Sequence, residues 1–163
     1  MRIALSTDHG GYEALRALKP YIESLGHECV YLGPKILNMD DDYPDLIAPA
    51  AKAVASGDCQ RGIILGVSGQ GEAMAANRFK GVRCAVFYSQ AVSKTNAGAD
   101  QSDHNPFEVI ELSRKHNDAN MLSLSGRFLD SEDMKTAVKI LLETPFSGEE
   151  RHARRNHKLD ELN

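Results

Sequence analysis

Apolar residues follow two rhythms along this chain. Short apolar runs bounded by glycine or polar residues recur at 2–7, 28–32, 62–66, 84–88 and 121–124, and they read as five strands. Between them the spacing changes to three and four. Tyr12, Leu15, Leu18, Ile22 and Leu25 form one helical stripe, with Pro20 expected to remove a hydrogen bond and Gly26 to end it. Leu46, Ile47, Ala50, Ala51 and Val54 form a second. Further helices are predicted over 107–115, ending at His116-Asn117-Asp118, over 131–143, stopping before Pro145, and over about 148–162. Strands alternating with helices predict an α/β chain. The expected architecture is a three-layer α/β/α Rossmann-like fold with a five-stranded parallel sheet. In such folds the crevice beyond the carboxyl ends of the strands is where ligands bind.

One stretch concentrates the chemistry. Residues 62–77, GIILGVSGQGEAMAAN, read as strand, glycine-rich turn and helix start. Such a turn aims free backbone N–H groups, at the positive end of a helix, at whatever lies above it. It suits a bound anion, or one forming during a reaction. Ser68 adds a hydroxyl and Glu72 a carboxylate, which the helix dipole is expected to keep ionised. The glycines lack the G-x-G-x-x-G spacing and no Lys follows them, so neither a dinucleotide fingerprint nor a P-loop is present. The alternative is an ordinary strand-to-helix turn. Asp8-His9, His116-Asn117 and Arg127 are expected on the same rim, and their convergence favours an active site.

Composition narrows the class. With 163 residues, 42% hydrophobic and 26% charged, the chain suits one domain with one sizeable core. No run approaches a membrane span, and the N-terminus lacks a signal-peptide layout. A net charge of -4 argues against general nucleic-acid binding. Cys29, Cys59 and Cys84 fit reduced thiols in a cytoplasmic protein rather than a zinc site. The acidic run within 38–45 is expected to be a solvated face and helix cap, not a metal site. Asp100, Asp103 and His104 lie in a long polar loop, and their spacing matches no metal pattern. Arg151 and Arg155 share a helix face and suit a phosphate clamp, unless they simply form a solvated stripe paired with Glu149 and Glu150. A carboxylate base beside backbone N–H donors suits proton abstraction next to a carbonyl, with no cofactor.

Six motifs together resemble the ribose-5-phosphate isomerase B family, which also contains galactose-6-phosphate isomerase subunits. They are DHGGYE at 8–13, YPD at 43–45, the glycine-rich turn, HNDAN at 116–120, SGR at 125–127 and RHARR at 151–155. The resemblance implies aldose–ketose isomerisation of a phosphorylated sugar through a cis-enediolate, most readily ribose 5-phosphate to ribulose 5-phosphate. One branch of that family carries a Cys base at the position of Gly66; this chain resembles the other, with Glu72 as base. By the same resemblance Ser68 and the backbone of Gly69, Gln70 and Gly71 stabilise the enediolate. His116, near Asp8, opens the sugar ring and Asn117 holds a substrate oxygen. His9, Arg127, Arg151 and Arg155 bind the phosphate, the last two reaching in from a neighbouring subunit. A homodimer or dimer of dimers with shared sites, without metal, membrane or nucleic-acid partner, is therefore expected. The loop over about 91–106 exceeds the usual family connection. It keeps hexose and tetrose phosphates open as substrates, and a non-catalytic sugar-phosphate sensor remains the rival reading.

Overall fold

A computed structural model describes residues 1–94 and 105–162. Five strands, β1 (Arg2–Thr7), β2 (Glu28–Tyr31), β3 (Arg61–Gly66), β4 (Cys84–Phe87) and β5 (Met121–Ser125), form one wholly parallel sheet in the order β2-β1-β3-β5-β4. Six α-helices alternate with them: α1 (Tyr12–Ser24), α2 (Tyr43–Ala55), α3 (Gln70–Ala76), α4 (Glu108–Asn117), α5 (Ser131–Glu143) and α6 (Glu150–Asp160). The architecture is the expected three-layer α/β/α Rossmann-like one.

Each strand is sorted by the two-residue period of its side chains. Ile3 and Leu5, Ile63 and Leu65, and Leu122 and Leu124 face one core with Leu15, Leu18 and Ile22 of α1, Ile110 of α4 and Val138 and Leu141 of α5. Ala4, Ile64 and Met121 face a second core with Ile47, Ala50, Ala51 and Val54 of α2 and Ala76 of α3. Both faces are covered, so β3 and β5 are buried along nearly their whole length. Pro20 is accommodated within α1 at an exposed position, and Gly26 follows that helix with φ 84°. No described helix is long and apolar enough to cross a membrane.

Strand order reverses at β1 and β3. The chain leaves β1 towards β2 and leaves β3 towards β4, so the carboxyl ends of β1 and β3 flank a crevice. Asp8 follows β1, the glycine-rich turn follows β3, and Gly126 and Arg127 follow β5 at the same edge.

Helix α4 runs against the strands, as a crossover from β4 to β5 requires. Its last turn therefore lies at the opposite, amino edge. There Asn120 donates its N–H to the Arg83 carbonyl at 3.0 Å, and its own carbonyl accepts from Gly62 at 2.9 Å. Residues 95–104, which include Asp100, Asp103 and His104, lie outside the described residues. Ahead of that segment, the Ala91 N–H donates to the Pro106 carbonyl at 3.0 Å.

Candidate active site

The three turns at the carboxyl edge approach one another at van der Waals contact. A Cβ on Gly10 would lie 2.7 Å from the Val67 nitrogen, and one on Gly126 would lie 2.5 Å from the Gly10 carbonyl oxygen. Gly69 opens α3 in the left-handed region at φ 78°. Two buried serines of β5 support the turn from beneath. Ser123 donates to the Gly69 carbonyl and Ser125 to the Val67 carbonyl, each at 2.7 Å. The signal for them in the sequence is a pair of hydroxyls alternating with leucine in MLSLS. Ser68 is half-buried, and its Oγ accepts from the Gln70 N–H at 3.3 Å. The ring of Tyr43 lies against the Cα of Gly71, where a Cβ would come within 2.9 Å of Cζ.

Glu72 stands at the centre of this arrangement, 5% exposed. Its carboxylate occupies the volume above Gly66, where any Cβ on that residue would overlap it. Its Oε2 is buried without a hydrogen-bond partner among the described residues. Burial pushes its carboxyl above the usual carboxylate range, and neighbouring Asp8, within hydrogen-bonding reach, pushes the same way. Glu72's own backbone amide, second only to burial, and His9 pull in the other direction without reversing the net shift. The net direction is opposite to the shift a helix N-terminus gives, because burial of the carboxyl group outweighs it.

Asp8 is buried and accepts from the Gly10 N–H at 2.8 Å. His9 is held by a residue absent from the expected site. Asp41 accepts from the His9 N–H at 2.8 Å through Oδ2 and contacts His9 Nδ1 at 2.7 Å through Oδ1. The Asp41 side chain is only 8% exposed, so this member of the acidic run is not part of a solvated face. Its carboxylate raises the His9 imidazole above its ordinary value, aided by Asp8 and Glu72 and opposed by burial. Asp8, His9 and Asp41 also offer ligand atoms within 4.8 Å of one another, a cation-sized grouping that their sequence spacing did not signal.

Arg127 is at the expected edge. Its N–H donates to the Val67 carbonyl at 3.2 Å, its side chain is exposed, and its guanidinium lies 6.0 Å from the Phe128 ring centre.

His116 and Asn117 are not near Asp8 within one chain. They form the last turn of α4 at the amino edge, and the six-residue strand β1 spans roughly 20 Å between the two edges. His116 packs instead on α6, with its ring centre 4.2 Å from that of His152 and its carbonyl accepting from Asn156 Nδ2 at 3.1 Å. His152 and Asn156 form the buried face of α6, while Arg151 and Arg155 stand exposed beside them. Arg151 pairs with Glu149 at 2.8 Å, and Arg155 has no ion pair among the described residues. The expected site residues thus fall into two constellations. Asp8, His9, Ser68–Glu72 and Arg127 share the carboxyl edge; His116, Asn117, Arg151 and Arg155 share the α4–α6 face.

Comparison with known proteins supplies the context. The family model described as Ribose/Galactose Isomerase matches residues 3–159. Ribose-5-phosphate isomerase B of Mycobacterium leprae is 33% identical over 155 residues, covering 95% of this chain and 85% of that protein. The solved ribose-5-phosphate isomerase B of Clostridium thermocellum superposes with a TM-score of 0.84 at 33% identity, covering 99% of this chain and 97% of that one. That of Mycoplasma genitalium, solved with bound ribulose-5-phosphate, gives 0.83 at 30% identity, covering 99% and 95%.

Proposed function

The chain belongs to the Ribose/Galactose Isomerase family, and from that premise we propose that it is a cofactor-free aldose–ketose isomerase that converts ribose 5-phosphate to ribulose 5-phosphate with Glu72 as base. The observation that carries this reading is the buried Glu72 carboxylate, with one unsatisfied oxygen, beside a turn of backbone donors at the mouth of the β1/β3 crevice. Glu72 removes the proton on C2 of the open-chain aldose. The C2–H electron pair forms the C1=C2 bond, and the carbonyl π pair moves onto O1, giving a cis-enediolate. The donors of Ser68, Gly69, Gln70 and Gly71 stabilise that charge as it develops. A proton passes from O2 to O1, Glu72 returns its own proton to C1, and the ketose results. A carboxylate raised by burial is a stronger base than one in water, which suits abstraction of a weakly acidic carbon-bound proton.

Ring opening and phosphate binding call on both constellations. We assign His116 as the ring-opening proton donor, Asn117 as a holder of a substrate oxygen, and Arg151 and Arg155 as phosphate ligands together with His9 and Arg127. Because the first four lie on the α4–α6 face, they serve the Glu72 crevice of a second subunit, so the site is complete only in a homodimer or a dimer of dimers.

A panel of four- to six-carbon aldose and ketose phosphates, assayed in chelator with no added metal, tests the substrate. Glu72→Gln tests the base. It is expected to slow exchange of the C2 hydrogen with solvent deuterium by roughly two to four orders of magnitude while sugar-phosphate binding persists. Exchange at the wild-type rate would move the base elsewhere.

A further inference from the structure

We propose that Asp41 is a positioning residue: it fixes His9 from two sides, leaving Nε2 as the free edge that meets the substrate's phosphate. The inference rests on the reading of His9 as a phosphate ligand and adds the residue that makes it one.

The geometry is that of a two-point clamp. One Asp41 oxygen takes the backbone N–H of His9 at 2.8 Å and the other takes Nδ1 at 2.7 Å. The first contact fixes the main chain at the start of the turn after β1. The second fixes the ring, since an imidazole held at Nδ1 has lost its freedom about both side-chain torsions. Among the described residues Nε2 has no hydrogen-bond partner, and the ring is 27% exposed, enough for one edge to meet a ligand. Asp41 itself is nearly closed off from water, so its charge acts on His9 with little screening.

Charge follows from the same contacts. The groups facing His9 are Asp8 beside it, Asp41 from the segment before α2, and Glu72 from α3; all three are acids and all favour the protonated ring. A protonated His9 with Nδ1 bonded to Asp41 has one N–H left to donate, at Nε2. Neutral His9 with its proton held at Nδ1 by Asp41 would instead present a lone pair at Nε2, which repels a phosphate oxygen. Asp41 thus makes His9 a phosphate donor only while the ring is charged. Because Asp41 raises the ring's titration, that state persists to higher pH than for a free imidazole. Removing the carboxylate charge moves the loss of phosphate affinity to lower pH.

Two probes test this: inorganic phosphate, followed by the imidazole ¹⁵N shifts of His9, and ribose 5-phosphate, followed by kinetics across pH. In the wild type the His9 ring is expected to titrate above a free imidazole, with the Nε2 shift responding to phosphate. Asp41→Asn keeps the side-chain shape. It is expected to weaken phosphate binding and raise KM by about tenfold, in line with loss of a charged hydrogen-bond partner. Turnover at saturation should change by less than about threefold, and the alkaline rise in KM should begin at lower pH. In a His9→Ala background, where only the main-chain contact to Asp41 remains, the same substitution should change KM much less and leave no shift in its pH limb. If His9→Ala leaves phosphate affinity intact, the phosphate reading of His9 fails. If His9→Ala weakens binding while Asp41→Asn moves neither KM nor its pH limb, that reading stands and the Asp41 proposal falls. A wild-type ring that titrates no higher than a free imidazole, read without any variant, would overturn the proposal as well.

Discussion

Gly66 illustrates how one missing atom sets up chemistry. Its backbone is not in the left-handed region, so conformational freedom does not explain the glycine. Space does: the Glu72 carboxylate lies where a Cβ would be. Gly66→Ala is therefore expected to fold and to retain inorganic phosphate affinity, but to push Glu72 off its position. Misplacement by about an ångström lowers turnover on the order of a hundredfold. Turnover within a few-fold of wild type would show that Glu72 can reach the substrate from another rotamer. Glycine-rich turns were visible in the sequence because Gly66, Gly69 and Gly71 cluster there. Asp41 was not visible, because one aspartate in NMDDDYPD looks like its neighbours until the fold turns it inwards.

At the scale of elements, the boundaries found in advance were those with explicit punctuation. Helix α5 spans the expected residues: Asp130 caps its first turn by accepting from the Asp133 N–H at 2.8 Å, and Pro145 lies just beyond its end. Edge strands β2 and β4 each stop one residue short of the expected run, although Leu32 still donates its N–H to the Leu5 carbonyl of β1 at 2.8 Å. Helix α4 extends through His116 and Asn117 because Asp118 takes the left-handed conformation at φ 45° and ends the helix there. Helix α6 is tied down by Arg83, whose guanidinium bonds Asp160 at 3.0 Å, Asp118 at 3.0 Å and the Asn117 carbonyl at 2.9 Å. These partners are a third exposed, so solvent screening limits the effect. Arg83→Ala is expected to cost about 1–2 kcal/mol of stability and to speed amide exchange in α6 more than in β3. Unchanged protection of α6 would show that His152 and Asn156 anchor it alone.

For the whole molecule, sheet topology outweighs sequence motif in deciding which residues can meet. HNDAN and DHGG are both polar clusters next to strands, which is why they are expected on one rim. The direction of α4 separates them by the length of the sheet, and periodicity carries no information on which edge a cluster occupies. The division predicts complementation. On the shared-site proposal Arg155→Ala and Glu72→Gln are each expected to inactivate a homodimer; mixed, they would form one crevice with both defects and one with neither. Up to half of the wild-type activity per heterodimer is expected after subunit exchange. No recovery in demonstrated heterodimers would mean that base and clamp act within one chain.

The shared volume above Gly66 also constrains ancestry. A cysteine at 66 would overlap the Glu72 carboxylate where it now stands, so the two side chains cannot both occupy these places unless the glutamate moves. Any exchange of glutamate at 72 for cysteine at 66 therefore has to move that carboxylate first, so the order of the two substitutions matters.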